Sequence, residues 1–158
     1  MTERENPSSL QAAQDLPRLI ERMHRRYLDV VRIELARRGF NDISPVQAMM
    51  LGAIGNDQIS VRDLIERGHY LGSNASYNLK NLVDGGYVSR QSSARDRRSA
   101  LLKVTPKGNE ILSALSALNT QMAEGDTGDL DAARQTLRKL ERRWTDAVRA
   151  EPGGDEDF

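Results

Sequence analysis

One short stretch of this chain holds side chains suited to reading a nucleic acid. In the run from residue 72 to 84, GSNASYNLKNLVD, helical spacing puts Ser73, Asn74, Tyr77, Lys80, Asn81 and Asp84 on one side and Ala75, Leu79, Leu82 and Val83 on the other. A surface helix usually carries long charged side chains, whereas this one presents short groups that both donate and accept hydrogen bonds. Asn can bond bidentately to the major-groove edge of adenine, and Ser, Tyr and Lys can bond bases or phosphates. The same face also suits an ordinary hydrated helix end.

A second group follows it closely. Tyr87 to Gln91 and Ala100 to Val104 read as strands, the second through Leu102 and Val104, and the residues between them are SSARDRRS. That segment gathers Arg95, Arg97 and Arg98 around Asp96. A hairpin tip with three arginines can straddle a phosphate backbone and insert one guanidinium into a narrow minor groove. Its other reading is a solubilising loop, and its position beside the polar-faced helix favours the first.

The rest of the chain must hold these groups in place. Residues 1–14 are polar, with Pro7, Ser8 and Ser9, and read as a flexible tail. From Pro17 onward Ile20, Met23, Tyr27, Val31 and Leu35 recur at three- and four-residue spacings until Gly39, which predicts a long amphipathic helix. Arg18, Arg22, Arg25, Arg26 and Arg32 lie mostly off that stripe, as a solvated face or a phosphate-binding one. Ser44, Pro45 and Gln47 supply a capping box and a proline in the first turn of a second helix, in which Val46, Met50 and Ile54 face inward. A third helix starts at Ser60, turns Val61, Leu64 and Ile65 inward, and stops at Gly68 after barely two turns. So short a helix must pack on its neighbours.

Thr105 and Pro106 cap a fifth helix with Ile111, Leu112, Leu115, Leu118 and Met122 along one side. A sixth carries Leu130, Ala133, Leu137, Leu140, Trp144 and Ala147 at heptad-like spacing. Terminal helices with more apolar stripe than one small domain can cover call for a partner helix, most simply from a second copy. The tail EPGGDEDF reads as disordered.

Charge and composition narrow the function classes. The 23 basic and 23 acidic residues cancel, but residues 58–105 hold 8 basic against 4 acidic side chains and residues 106–158 hold 7 against 11. A basic block between neutral and acidic ones suits a polyanion met by one face. With no Cys, disulfides and thiolate chemistry are excluded within the chain. Two His, no Gly-rich phosphate loop and no HExxH spacing give no support for an enzyme, and neither a metal nor a cofactor is expected. MTERENPSSL lacks an apolar signal core, and no apolar run approaches the roughly 18 residues of a membrane span, so a cytoplasmic location is expected.

Taken together, SPVQAMML, SVRDLIERG, SNASYNLKNLVDGGYVSR and DRRSALLKVTPKG resemble the MarR (multiple antibiotic resistance regulator) family of bacterial winged helix-turn-helix proteins, over about residues 16–148. The wing signature carries most of the resemblance: an Asp, an Arg one or two positions later, a hydrophobic strand, then Thr and Gly opening the next helix. The resemblance implies a mainly α fold with a small β-hairpin, one domain over residues 1–158. In it residues 16–40 and 106–148 form dimerisation helices, 44–105 the winged helix, and 1–14 and 150–158 flexible tails. It implies a homodimeric, sequence-specific regulator of transcription, a repressor released by a small-molecule ligand. Its DNA contacts fall on Ser73, Asn74, Ser76, Tyr77, Lys80, Asn81, Arg95, Arg97 and Arg98, with Asp96 and Arg90 orienting the wing. Ile20, Met23, Leu115, Leu118, Leu137, Leu140 and Trp144 are the dimerisation candidates, and His24, Tyr27 and His69 the candidates for an effector pocket. A lone His is more often plain surface or hydrogen-bonded structure. The partners implied are a near-palindromic duplex, a second copy and an effector. A winged helix used for protein interaction is the alternative, which keeps the fold and predicts no salt-sensitive DNA binding. Two departures matter: Tyr77 stands where the family commonly has Arg, and without Cys the chain cannot resemble the branch that senses peroxides through a thiol.

Overall fold

The cap signals become hydrogen bonds. In a computed structural model describing residues 7–68, 72–93, 96–125 and 127–150, Ser44 Oγ accepts from the Gln47 amide at 3.2 Å and Gln47 Oε1 accepts from the Ser44 amide at 3.0 Å. This reciprocal pair satisfies two amide donors that the start of a helix leaves over. It opens helix α2, Pro45–Ile54, which follows α1, Pro7–Arg37. Ser60 likewise accepts from the Asp63 amide at 3.0 Å and starts α3, Val61–Gly68. Then come α4, Gly72–Asp84, strands β2, Val88–Ser93, and β3, Asp96–Val104, and helices α5, Pro106–Met122, and α6, Thr127–Ala150. No helix among the described residues is long and apolar enough to cross a membrane.

Three expectations are corrected. The first helix starts at Pro7, not Pro17, so Pro17 lies inside it and residues 7–14 are not a tail. Gln, Ala and Leu dominate residues 10–14, and all three are good helix formers. The hairpin gains a third strand, β1, Ile59–Ser60, giving a sheet in the order β1-β3-β2 with Ile59 opposite Leu102. Two residues carry no alternating pattern, so such a strand is invisible to periodicity. Finally, β2 and β3 run further into the basic segment than expected: Ser93 pairs with Asp96, after a register shift between Gln91 and Ser93. Asp96, Arg97 and Arg98 are therefore strand residues rather than loop residues.

The chain divides into two compact units, Met1–Leu118 and Asn119–Phe158, with the boundary inside α5. The first has a continuous apolar core that takes Val31 and Leu35 from α1, Met50, Leu51 and Ile54 from α2, Leu64 from α3 and Leu79 and Leu82 from α4. Tyr87, Leu102, Ile111, Leu115 and Leu118 complete it. Val46, expected inside, is instead exposed at the start of α2. The second unit, α6 with the end of α5, leaves Leu130, Leu137, Trp144 and Val148 exposed.

Candidate nucleic-acid interface

α4 has two chemically distinct sides. Ala75, Leu79 and Leu82 are buried in the core, which fixes the rotation of the helix about its axis and thereby turns Ser73, Asn74, Ser76, Tyr77 and Lys80 outward. Tyr77 is 67% exposed, unusual for so large a side chain, while Asn81 is half-buried at the edge of the face. Among the described residues no hydrogen bond engages the side chains of Ser73, Asn74, Ser76, Tyr77 or Asn81. These groups are available for an outside partner, and adjacent Asn and Ser side chains on a helix are the chemistry of base-edge contact.

The one lysine of this face is differently placed. Lys80 Nζ lies 2.5 Å from Asp84 Oδ2, one turn further on, and this contact raises the lysine's pKa. Both residues line a groove of about 270 Å³ together with Ser76, Leu79, Val83, Val61 and Arg90. Arg90 pairs across the ladder with Leu102, so its side chain leaves the sheet on the side of the core and reaches the edge beside α4. The family resemblance makes Arg90 a wing-orienting residue, and the groove also brings it to the same surface as Lys80 and Asp84. Of the other wing residues, Arg95 lies outside the described residues, and Asp96, Arg97 and Arg98 are described only as backbone positions of β3.

A hydrogen-bonded joint around the buried Tyr87 lies where α4 ends. Tyr87, 1% exposed, donates its hydroxyl proton to Asp42 Oδ1 at 2.5 Å, and Lys107 Nζ bonds Asp42 Oδ2 at 3.0 Å and the Gly85 carbonyl at 2.9 Å. Lys107 also sits 4.1 Å from the centre of the Tyr87 ring, a cation over an aromatic face. The Tyr87 hydrogen bond, then Lys107, hold the Asp42 carboxyl below its usual range, while burial pushes the Tyr87 phenol up. Thr105 Oγ1 donates to the Gly86 carbonyl at 2.7 Å and accepts from the Gly108 amide at 3.2 Å. A Cβ on Gly108 would stand 2.4 Å from the Tyr87 carbonyl oxygen, which leaves only glycine at that position. The first turn of α5 is thus tied to the turn after α4 and to the loop before α2. The sequence marks Thr105 as a cap but gives no sign of Asp42, Tyr87 and Lys107, because they meet only through contacts 45 and 65 residues apart in the chain.

A polar outward helix, a basic hairpin beside it and a short capped helix before it form a winged helix-turn-helix. The MarR family model matches residues 41–99, from the loop before α2 into β3. ExpG, the exopolysaccharide II synthesis transcriptional activator of Rhizobium meliloti (strain 1021), is 41% identical over 153 residues, spanning 93% of this chain and 79% of that protein. The chain belongs to the MarR family. It is a DNA-binding regulator of transcription rather than an enzyme. Solved structures of MarR-type proteins share the fold: reduced AbfR bound to DNA has a TM-score of 0.72 at 15% identity, with 90% of this chain and 98% of that one covered. BpsR of Bordetella bronchiseptica, whose DNA binding is regulated by 6-hydroxynicotinic acid, has a TM-score of 0.65 at 16% identity, covering 80% of this chain and 98% of that one.

The remaining MarR-type candidates separate by burial. Met23, Leu137 and Trp144 are exposed and Ile20 and Leu140 half-buried, but Leu115 and Leu118 are covered by the chain's own core. Of the effector-pocket candidates, His24 is exposed, Tyr27 is half-buried against the core, and His69 lies outside the described residues. A cleft of about 590 Å³ lined by Arg38, Phe40, Pro106, Asn109, Glu110 and Ser113 includes none of the three. Among the described residues no cluster of His, Asp or Glu could hold a metal ion.

Proposed function

We propose that this chain is a homodimeric, sequence-specific regulator whose two α4 helices read a near-palindromic operator in successive major grooves. The observation that carries this reading is the outward face of α4, where uncharged hydrogen-bonding side chains stand exposed on a helix anchored by Leu79 and Leu82. Two copies related by a two-fold axis need half-sites about 10 base pairs apart, one turn of the duplex. Asn74 and Asn81 have the chemistry for base edges, Tyr77 for a base or a thymine methyl, and Ser73, Ser76 and Lys80 for bases and phosphates. Arg95, Arg97 and Arg98 serve the backbone and minor groove, with Asp96 orienting one of them and Arg98 as the groove reader. Winged-helix residues 44–105 form the DNA-binding part, flanked by dimerisation helices, in a protein that works in the cytoplasm.

The dimer is supported by apolar side chains that a single chain leaves uncovered: Leu19, Met23 and Ile33 on α1, and Leu130, Leu137, Trp144 and Val148 on α6. Changing Leu137 and Leu140 together to Glu is expected to give monomer or unfolded chain, since obligate dimers often lack a stable monomer. Sedimentation of the double variant checks this, and a folded dimer that still binds DNA would sink it.

The direction of control follows from where the operator lies relative to the promoter, not from the fold. Because ExpG, 41% identical, is a transcriptional activator, activation is favoured for this chain over the repression expected from the family. A small-molecule effector stays within the proposal, in line with the ligand-regulated DNA binding of BpsR.

The test is titration with duplexes from the region upstream of the protein's own gene and with scrambled controls, across a salt series. Operator binding should exceed scrambled binding by at least about a thousandfold and weaken steeply with salt. Arg98→Ala should weaken all duplexes, those with AT-rich flanks most. Equal binding to operator and scrambled duplexes would overturn the proposal.

A further inference from the structure

α4 holds one cation and one anion among its 13 residues, and they are bonded to each other, Lys80 Nζ to Asp84 Oδ2 at 2.5 Å. The helix does not need this pair. A carboxylate in the last turn faces the negative end of the helix dipole, and an ion pair whose side chains are 72% and 60% exposed adds little to stability. What the pair does is cancel the charge of the reading helix in the groove it shares with Ser76 and Arg90, next to the face that meets DNA. Arg90, in that groove, has no acidic partner among the described residues.

We infer that Asp84 is a specificity-determining residue that withholds Lys80 from DNA phosphates until base contacts seat α4, whereupon Lys80 exchanges the Asp84 carboxylate for a phosphate. This rests on the DNA-reading role proposed for α4. Non-specific complexes draw essentially all their affinity from phosphate contacts, so withholding the only lysine of the reading helix weakens them most. On the operator, hydrogen bonds from Asn74, Tyr77 and Asn81 bring the helix close enough for the exchange. Those base contacts offset the loss of the Asp84 pair, and a non-specific complex lacks them.

The experiment compares wild type, Asp84→Asn, Lys80→Ala and the Lys80→Ala, Asp84→Asn double variant on the operator duplex and its scrambled control across a salt series. Asp84→Asn keeps the side chain's size and removes its charge. It should tighten scrambled DNA by about five- to tenfold near 0.1 M salt and steepen that duplex's salt dependence by about one unit per protomer, as one further phosphate contact would. Operator affinity should rise by less, so the operator-to-scrambled ratio falls. In the double variant the gain should vanish, which a general loss of negative charge would not produce. An Asp84→Asn protein with the wild-type affinity and salt slope on scrambled DNA overturns the inference, as does a gain that survives in the double variant. A wild type that does not distinguish the two duplexes overturns the underlying reading as well.

Discussion

The third and fourth helices enter the same core and differ on the outside. α3 buries Leu64 completely, as α4 buries Leu82 to 1%, so inward they are equivalent. Outward, α3 shows Arg62, Asp63 and Glu66, and Arg62 Nε binds Glu66 Oε1 at 2.8 Å within the helix. The exposed groups of α4 are mostly neutral, and Lys80 and Asp84 alone are paired. Charged side chains that satisfy one another suit a helix that supports; short polar side chains without partners suit a helix that reads. The comparison teaches that function in this fold is told from the solvent side of a helix, while its core side speaks only to stability.

The largest effects should ignore the distinction between the two helices. Leu64→Ala and Leu82→Ala each remove a fully enclosed side chain, and each should lower unfolding stability by about 2–5 kcal/mol. Denaturant titration of both variants checks this. If one helix tolerates the loss with less than about 1 kcal/mol, the two do not share a core equally and the comparison fails at its base.

Exposed substitutions should separate the helices. Asn74→Ala or Tyr77→Ala should lose about 1–3 kcal/mol of operator binding per contact, leave scrambled DNA nearly untouched and leave stability within about 0.5 kcal/mol. Glu66→Gln on α3 should leave operator preference where the wild type has it. Binding isotherms on both duplexes decide the matter: a Tyr77 or Asn74 variant that weakens both duplexes alike would move sequence reading away from α4.

Much of this contrast is legible in the amino-acid sequence. Periodicity divides α4 into its two faces, and Ser44, Gln47 and Ser60 announce helix starts that hydrogen bonds bear out. What is not legible depends on distant partners. β1 is two residues long and exists only because Ile59 and Ser60 lie along Leu102 and Leu101, and the Asp42, Tyr87 and Lys107 joint is assembled from three separate segments. Arg90 is plainly basic, but its place beside Lys80 and Asp84 at the edge of α4 follows from the register that aligns it with Leu102, which one strand alone does not show. Leu115 and Leu118 sit on an apolar stripe, and a stripe does not say whether its cover is the same chain or another.

The smallest expected effect extends the same contrast between paired and available charge to the end of α1. Glu34 is 8% exposed, and its carboxylate receives two hydrogen bonds from Arg37, at 2.8 and 2.9 Å, and one from Arg38 at 2.5 Å. These bonds, those from Arg37 foremost, bring its pKa from 4.5 down to about 2. Since the folded value lies below the unfolded one, the pair's stabilisation is fully present above about pH 4.5 and is lost as pH falls from there towards 2. Other carboxylates titrate in the same window, so the informative quantity is a difference. Glu34→Gln keeps the shape and a hydrogen-bond acceptor but cannot ionise, and should be less stable than wild type at pH 7. The gap in thermal midpoint should close as pH approaches 2, while DNA preference at neutral pH stays that of the wild type. A gap that is constant from pH 7 to pH 2.5 would mean that Glu34 supports α1 by packing alone and that its ion pairs with Arg37 and Arg38 add nothing to the fold.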